Sequence, residues 1–168
     1  PLPSLSDHKF SRGCCFIVVG ENLIGASKLA YLAASQSTLR AGAGLCKLIV
    51  NEKNMDFFKL HVLEEMLLTY KNNKDFISII KKEKFNTLIY GCGIDNNLKN
   101  KKILTFLLKQ KINLVLDAAV FSLFQKNNNE LLSLLNKRTN KTVMTPHSGE
   151  FKKIFNTSNN KINDCLDA

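Results

Sequence analysis

The segment from Thr145 to Glu150 combines the residue types and the spacing that are best suited to chemistry. It reads T-P-H-S-G-E and begins at the last residue of a predicted strand, residues 142–145, which the proline ends. His147 then lies in a turn before a helix, and a histidine can donate or accept a proton near neutral pH. Ser148 could cap that helix, and Glu150 would interact favourably with the helix dipole. The alternative for His147 is an ordinary turn residue.

Two glycine-bearing turns follow other apolar runs. Gly20 to Gly25 reads G-E-N-L-I-G, and Gly91 to Gly93 reads G-C-G. Glycine lets a ligand approach the backbone, and the helix that we predict after Gly25 offers free N–H groups to an anion. The first turn lacks both the dinucleotide fingerprint G-x-G-x-x-G and the G-K-[ST] of a P-loop. Tight turns without a ligand are the alternative for both segments.

Asp117 ends a third apolar run, residues 114–116. One interpretation is that its side chain caps a helix starting near Ala118. The other is a carboxylate at the edge of the sheet that orients a hydroxyl, a water or Mg²⁺. The sequence slightly favours the cap.

Short apolar runs alternate with helical stretches along the whole chain. We predict strands at residues 15–19, 45–50, 87–90, 113–116 and 142–145. We predict helices at residues 25–39, 55–70, 74–82, 98–110 and 131–135, and another from residue 149. This alternation indicates an α/β fold with a mainly parallel sheet covered on both faces. Ligands bind such sheets beyond the carboxyl ends of the strands, where all the segments above fall.

Composition narrows the class of protein. The chain has 168 residues, of which 45% are hydrophobic, enough for one compact domain. It has no run of 18 apolar residues and no signal peptide, so we predict no membrane span. The five cysteines are odd in number and form no C-x-x-C pair, which indicates a reducing, cytoplasmic compartment. We expect them to be small buried hydrophobes rather than disulfide partners or metal ligands.

The net charge of +10 invites a nucleic-acid interpretation. Lysine supplies 21 of the 24 basic residues, whereas base-reading surfaces favour arginine and aromatic side chains. The charge is also spread evenly, with +3, +4 and +3 in residues 1–50, 51–110 and 111–168. A general bias toward lysine on a solvated surface therefore explains the charge better than a nucleic-acid footprint.

Six short motifs in this order resemble the ADP- or ATP-dependent NAD(P)H-hydrate dehydratases, a family with a ribokinase-like fold. The family patterns are H-K-x-x-x-G, G-A-x-x-L-A, L-R-x-G-A-G-L, G-P-G-x-G, L-D-A-D and T-P-H-P-G-E-F. Full or partial matches to them stand at residues 8–13, 25–30, 39–45, 91–93, 116–118 and 145–151. The resemblance implies a three-layer αβα fold around a mainly parallel sheet.

The resemblance also implies a reaction. The family restores NADH or NADPH from the hydrate, NADHX or NADPHX, by phosphorylating the hydrate hydroxyl and eliminating phosphate, with ADP or ATP and Mg²⁺. Carried over by position, Ala26, Gly91, Gly93 and His147 would bind the substrate. Supporting residues would be Gly25, Asp117 and Glu150, and no metal ligand is implied. The implied partners are the dinucleotide, a fused or separate NAD(P)H-hydrate epimerase and further copies of the chain, without nucleic acid or membrane.

Three substitutions and one absence matter most among the departures from the family patterns. Asp95 stands where the pattern has its last loop glycine, Ala119 replaces the second acid of L-D-A-D, and Ser148 replaces a proline. The nucleotide-binding lysine region and the G-x-G-D segment with the catalytic aspartate have no counterpart before Ala168. We therefore expect residues 1–168 to be the N-terminal part of a single dehydratase domain, incomplete at its C-terminus and inactive alone.

Two other functions stay open at this point. One is a ribokinase-like kinase of the hydroxyethylthiazole or pyridoxine type, which would leave a stably phosphorylated product. The other is a non-catalytic, truncated remnant of the dehydratase.

Overall fold

The computed structural model describes residues 4–62, 65–158 and 160–168, and in these the strands form one six-stranded sheet. All five strand pairs are parallel, in the order β3-β2-β1-β4-β5-β6. The strands are β1 (Cys14–Val18), β2 (Leu45–Asn51), β3 (Met66–Tyr70), β4 (Thr87–Tyr90), β5 (Asn113–Leu116) and β6 (Thr142–Met144).

Helices connect the strands. They are α1 (Ile24–Arg40), α2 (Met55–Lys59), α3 (Asn73–Lys82), α4 (Leu98–Leu108), α5 (Ala119–Leu123), α6 (Asn128–Asn136), α7 (Ser148–Ile154) and α8 (Lys161–Leu166). A short 3₁₀ turn, Glu52–Asn54, precedes α2. Within the described ranges, no helix has both the length and the apolarity needed to cross a membrane.

Side chains alternate across the sheet and so build two apolar layers. In β1, Phe16 and Val18 pack into one layer, together with residues of α3, α4 and α6. Ile17, and Val19 directly after the strand, pack into the other layer, with residues of α1 and α2. This two-sided burial explains why β1 is apolar at all five positions. The predicted three-layer α/β architecture is confirmed.

The layer beneath α1 and α2 thins out toward β6. The register aligns Ile17 with Ile89, then Val115, then Val143, so these four side chains form one row. Ile17 is buried, Ile89 and Val115 are half-buried, and Val143 is 54% exposed. The helices of this face therefore cover β1 and β2 but leave β6 open.

The predicted helix at residues 55–70 is wrong. Its first part forms α2, but Met66–Tyr70 is the strand β3, which pairs with β2. Residues 63 and 64 lie outside the described residues. The apolar spacing fits a helix as well as a strand in this stretch, and pairing with β2 decides between them.

The remaining predicted elements are present with small shifts at their ends. Strands β4 and β5 have the predicted bounds, whereas α6 begins at Asn128, three residues earlier than predicted. The apolar stretch after β5 contains an additional helix, α5.

The cysteines are all free and are buried only in part. Cys14, Cys15 and Cys46 lie in the core, as predicted. The prediction is wrong for Cys92, which is half-buried, and for Cys165, which is exposed. Neither lies in a strand: Cys92 is in the turn after β4, and Cys165 is in α8.

Candidate functional site

The strand order reverses between β1 and β4, and the turns that follow these two strands close on each other. A Cβ added at Gly20 would overlap the carbonyl of Gly93. Gly93 itself has a φ of +71°, which favours glycine, and a Cβ there would overlap Ser27 Oγ. Ser27 is fully buried in α1, and its Oγ accepts a hydrogen bond from the Gly20 N–H at 2.9 Å. Backbone packing therefore requires both glycines, whatever ligand the turns bind.

Side chains strengthen the junction of these turns. Asn22 Nδ2 donates to Asp95 Oδ2 at 2.8 Å, which bridges the turn after β1 and the turn after β4. Asn54 Nδ2 donates to the Glu21 carbonyl at 2.7 Å. The Glu21 carboxylate forms an ion pair with Lys99 of α4. These contacts hold the turns after β1 and β4 together at the point where the strand order reverses.

Asp117 links the next two strand ends. Its Oδ1 accepts from Thr145 Oγ1 at 2.9 Å, and its Oδ2 accepts from Cys92 Sγ at 3.2 Å. The predicted helix cap at Asp117 is wrong: α5 begins at Ala119, and no side chain caps it. Ala118 takes a φ of +49°, which carries the chain away from the geometry that would bring the Asp117 side chain to the first turn.

The environment of Cys92 keeps its thiol protonated. Burial, and then the nearby Asp117 carboxylate, raise the pKa of Cys92 to about 12. At neutral pH the group is therefore a thiol, which donates a hydrogen bond to the Asp117 carboxylate, and it is not a nucleophilic thiolate.

His147 caps α7. Its Nδ1 accepts from the Gly149 N–H at 3.0 Å, while Glu150 Oε2 accepts from the His147 N–H at 3.0 Å. The expectation that Ser148 caps this helix is wrong, since the imidazole takes that position. His147 Nε2 lies 3.3 Å from Glu150 Oε1, and the side chain is 72% exposed. Because Nδ1 accepts a hydrogen bond, the neutral ring carries its proton on Nε2.

The other residues singled out by the sequence lie at the same edge. Gly25 and Ala26 are exposed in the first turn of α1, and a Cβ at Gly25 would meet nothing within 4 Å. Gly91 is buried, with a φ of +128°, and packs against the Asp117 carbonyl. Space for a larger group thus lies at Gly25 in the first turn of α1, whereas Gly91 is packed against the end of the neighbouring strand.

Sequence reasoning did not single out four residues that shape this edge: Ser27, Asn22, Cys92 and Thr145. Cys92 and Asp95 both depart from the G-P-G-x-G pattern, and those departures were the available signal that they make contacts of their own. No sequence signal marked Ser27 or Asn22, because their contacts form only when two distant turns meet in the folded chain. Asn22 and its partner Asp95, for example, are 73 residues apart in the sequence.

The arrangement of the acidic side chains bears on where a magnesium ion could bind. Mg²⁺ prefers an octahedral set of oxygen ligands. In residues 4–62, 65–158 and 160–168, no three histidine, cysteine or acidic side chains form a group suited to a metal ion. The oxygens of Asp117 and Glu150 already accept hydrogen bonds from the protein.

Solved structures share this fold. A ribokinase-like superfamily protein from Enterococcus faecalis V583 is 20% identical, with a TM-score of 0.70 over 91% of this chain and 51% of that one. The ADP/ATP-dependent NAD(P)H-hydrate dehydratase of Bacillus subtilis, co-crystallized with ATP/Mg²⁺, is 19% identical, with a TM-score of 0.69 over 99% of this chain and 55% of that one. A hypothetical protein from Streptococcus mutans is 21% identical, with a TM-score of 0.68 over 92% and 52%.

These structures establish a ribokinase-like fold, and the chain spans about half the length of each. No curated protein sequence matches the chain significantly. The family model described as NAD(P)H-hydrate dehydratase matches residues 15–167, nearly the whole chain. The protein therefore belongs to the NAD(P)H-hydrate dehydratase family.

Proposed function

We propose that these residues form the substrate-binding half of an enzyme that restores NADH and NADPH from their hydrates, NADHX and NADPHX. The match of the family model over residues 15–167 carries this proposal. In the proposed reaction, a phosphoryl group passes from ADP or ATP to the hydrate hydroxyl, so the poor leaving group hydroxide becomes phosphate. The C–O bond then breaks, the neighbouring ring carbon loses a proton, and the ring double bond forms again.

Each residue at the carboxyl edge of the sheet has its own role in binding the hydrate. Gly25 and Ala26 leave open space at the first turn of α1, where the hydrate can lie against the helix. Gly91 and Gly93 bring the backbone close to it, since neither carries a side chain. His147 donates from Nε2 to the hydrate or its phosphates, exchanging its present partner Glu150 for the ligand. Asp117 and Glu150 support these groups from beneath.

The nucleotide and the metal ion belong to the other half of the domain in this proposal. The Bacillus subtilis dehydratase was crystallized with ATP and Mg²⁺, and this chain covers 55% of that protein. Because the family's nucleotide-binding lysine region and its G-x-G-D segment have no counterpart in residues 1–168, we assign the nucleotide, the ion and the catalytic aspartate to the part of the domain that this chain does not cover. When bound, the Mg²⁺–nucleotide would supply the phosphoryl group.

The proposed setting is the cytoplasm, where the dinucleotide hydrates would form. An NAD(P)H-hydrate epimerase, fused or separate, would supply the correct hydrate epimer, and copies of the chain would assemble into a homo-oligomer. The even, lysine-based charge supports neither a nucleic-acid nor a membrane partner.

Hydrate binding by the chain tests the proposal. We expect isothermal titration calorimetry with NADH hydrate to show binding, and His147→Ala to weaken it at least about tenfold, as loss of a hydrogen bond to a charged group would. His8→Ala is the matched control. His8 is also exposed, and its Nδ1 also accepts from turn amides, but it precedes β1 at the opposite edge. Equal affinity of the His147 and His8 variants would contradict the proposed site.

Turnover is measured on the complete gene product that contains these residues. We expect ATP-dependent return of absorbance at 340 nm together with release of free phosphate. A stably phosphorylated product without that absorbance would instead indicate a ribokinase-like kinase.

A further inference from the structure

Three strand ends converge on one carboxylate. Asp117 follows β5, Cys92 lies in the turn after β4, and Thr145 follows β6. The two oxygens of Asp117 are divided between the neighbours, Oδ2 accepting from the thiol and Oδ1 from the hydroxyl. We call this arrangement of Cys92, Asp117 and Thr145 the Asp117 clasp.

The backbone holds the clasp in register. The Asp117 N–H donates to the Tyr90 carbonyl at 3.1 Å, and the Thr145 N–H donates to the Leu116 carbonyl at 3.1 Å. The next residue, Ala118, has a φ of +49°, a conformation that a residue with a side chain keeps only when its surroundings impose it. The end of β5 is thus fixed relative to β4 and β6 by contacts on both sides.

The chemistry of the clasp requires a carboxylate. A carboxylate presents two acceptors, and the thiol and the hydroxyl each have one proton to give. An amide at position 117 would present one oxygen and one N–H₂ group, so one of the two neighbours would face a donor where it now has an acceptor. Burial and the adjacent charge keep the Cys92 thiol protonated, which maintains its role as donor.

Cys92 is also where this chain departs from the family pattern, which has proline at that position of G-P-G-x-G. A proline stiffens a turn by fixing its own φ and has no side-chain proton to donate. The thiol stiffens the turn in another way, by fastening it to Asp117.

We propose that Asp117 is a positioning residue, which through Cys92 and Thr145 presents the Gly91–Gly93 turn and His147 to the hydrate in a fixed arrangement. Asp117 does not itself touch the substrate. His147 is only two residues beyond Thr145, so the hydroxyl bond anchors the start of its turn. The inference rests on the proposed function, because it assigns the clasp to the binding of the hydrate.

A pair of variants at position 92 tests this role. We expect Cys92→Ala to raise the dissociation constant for NADH hydrate about tenfold, and to speed amide hydrogen exchange over residues 91–94 in the ligand-free chain. Cys92→Ser restores both values to within about twofold of wild type, because its hydroxyl donates to Asp117 in place of the thiol. Cys165→Ala, at an exposed cysteine of α8, is the control and leaves both unchanged.

A second pair tests the other arm of the clasp. Thr145→Val removes the hydroxyl at nearly constant volume, and Thr145→Ser keeps it. We expect the valine variant to lose affinity for the hydrate and the serine variant to retain it, while exchange over residues 145–149 follows the same order. This pair decides the question even if Asp117→Asn fails to fold.

The outcomes separate the clasp from the proposed function. Wild-type affinity in Cys92→Ala and Thr145→Val overturns the positioning role, and so does failure of both conservative variants to restore binding in folded protein. If wild type binds no hydrate, the proposed function fails and the positioning role is overturned with it. The exchange rates then still report whether the clasp forms.

Discussion

At the residue scale, two glycines of the same turn have different structural roles. Gly20 and Gly25 bracket the same turn, G-E-N-L-I-G. Gly20 allows the turns after β1 and β4 to touch, because its α-carbon faces the carbonyl of Gly93. Gly25 faces open space at the start of α1. The first glycine therefore serves packing, and the second leaves room for a ligand.

Alanine substitutions separate these two roles. We expect Gly20→Ala to lower the free energy of unfolding by about 2 kcal/mol or more, because the methyl group would force two backbones apart. Gly25→Ala should leave the free energy of unfolding unchanged or raise it by up to about 1 kcal/mol, because alanine favours a helix. Urea unfolding of the two variants beside wild type gives both values. Equal stability of the two variants would show that the turns after β1 and β4 do not pack as described.

At the element scale, the sequence predicts strands well when a polar residue or a glycine stops an apolar run. β4 ends before Gly91 and β5 ends before Asp117, and both have the predicted bounds. β3 was missed because its residues continue a spacing that also fits a helix, and neither glycine nor proline separates them from the amphipathic stretch before them. Its pairing with β2 is a contact between distant segments, which no local pattern encodes.

The candidate site likewise has features that the sequence predicts and features that it does not. Its location at the carboxyl edge, with His147 and the glycine turns, could be predicted because those residues follow strands directly. The hydrogen bonds of the site could not be predicted, since Asn22 and Asp95, or Cys92 and Asp117, meet only after the sheet has formed. The capping role of His147 was assigned to its neighbour because serine is the commoner cap.

Helix caps in this asparagine-rich chain provide a direct comparison. Asn72 caps α3, and its Oδ1 accepts from the N–H groups of Lys74 and Asp75. Asn127 stands at the same position before α6 but makes no cap hydrogen bond. We expect Asn72→Ala to lower the free energy of unfolding by about 1 kcal/mol, and Asn127→Ala by less than about 0.5 kcal/mol. Chemical denaturation measures both. The prediction fails if Asn127→Ala is the more costly change.

We expect the hydrogen bonds between Ser158 and Asp164 of α8 to weaken at low pH. Hydrogen bonds from the side chain and the backbone N–H of Ser158 lower the pKa of Asp164 below 3.8. A lowered pKa means that the folded state prefers the carboxylate, so this contribution is fully present above pH 3.8. It is lost as the pH falls through the lower pKa of the folded state.

Carbon-13 NMR of the Asp164 carboxyl group measures this. We expect its midpoint to lie below 3.8 in wild type and to move upward in Ser158→Ala, which keeps the backbone donor but loses the hydroxyl. The same midpoint in both proteins would exclude the Ser158 hydroxyl as a cause of the lowered pKa.

At the scale of the whole molecule, the two faces of the sheet are covered unequally. The face that carries α3, α4 and α6 is buried as far as Leu114 and Leu116 of β5. On the other face, the row from Ile17 to Val143 loses its cover step by step. Within the described residues, β6 is also the last strand of the sheet, so its outer edge has no neighbouring strand. An apolar face beside an unpaired edge favours association between molecules.

We expect the chain to self-associate as its concentration rises, and Val143→Lys to reduce that association. A lysine places a charge in the open part of the row, while the residue is 54% exposed and contributes little to the core. Leu98→Lys is the matched control: Leu98 is 77% exposed at the start of α4, on the other side of the sheet, and lies outside the row. Sedimentation velocity over a concentration series distinguishes the two variants. If Leu98→Lys reduces association as much as Val143→Lys does, exposed apolar side chains in general, and not the open face, cause the association. If wild type stays monomeric at every concentration, the open face does not mediate self-association.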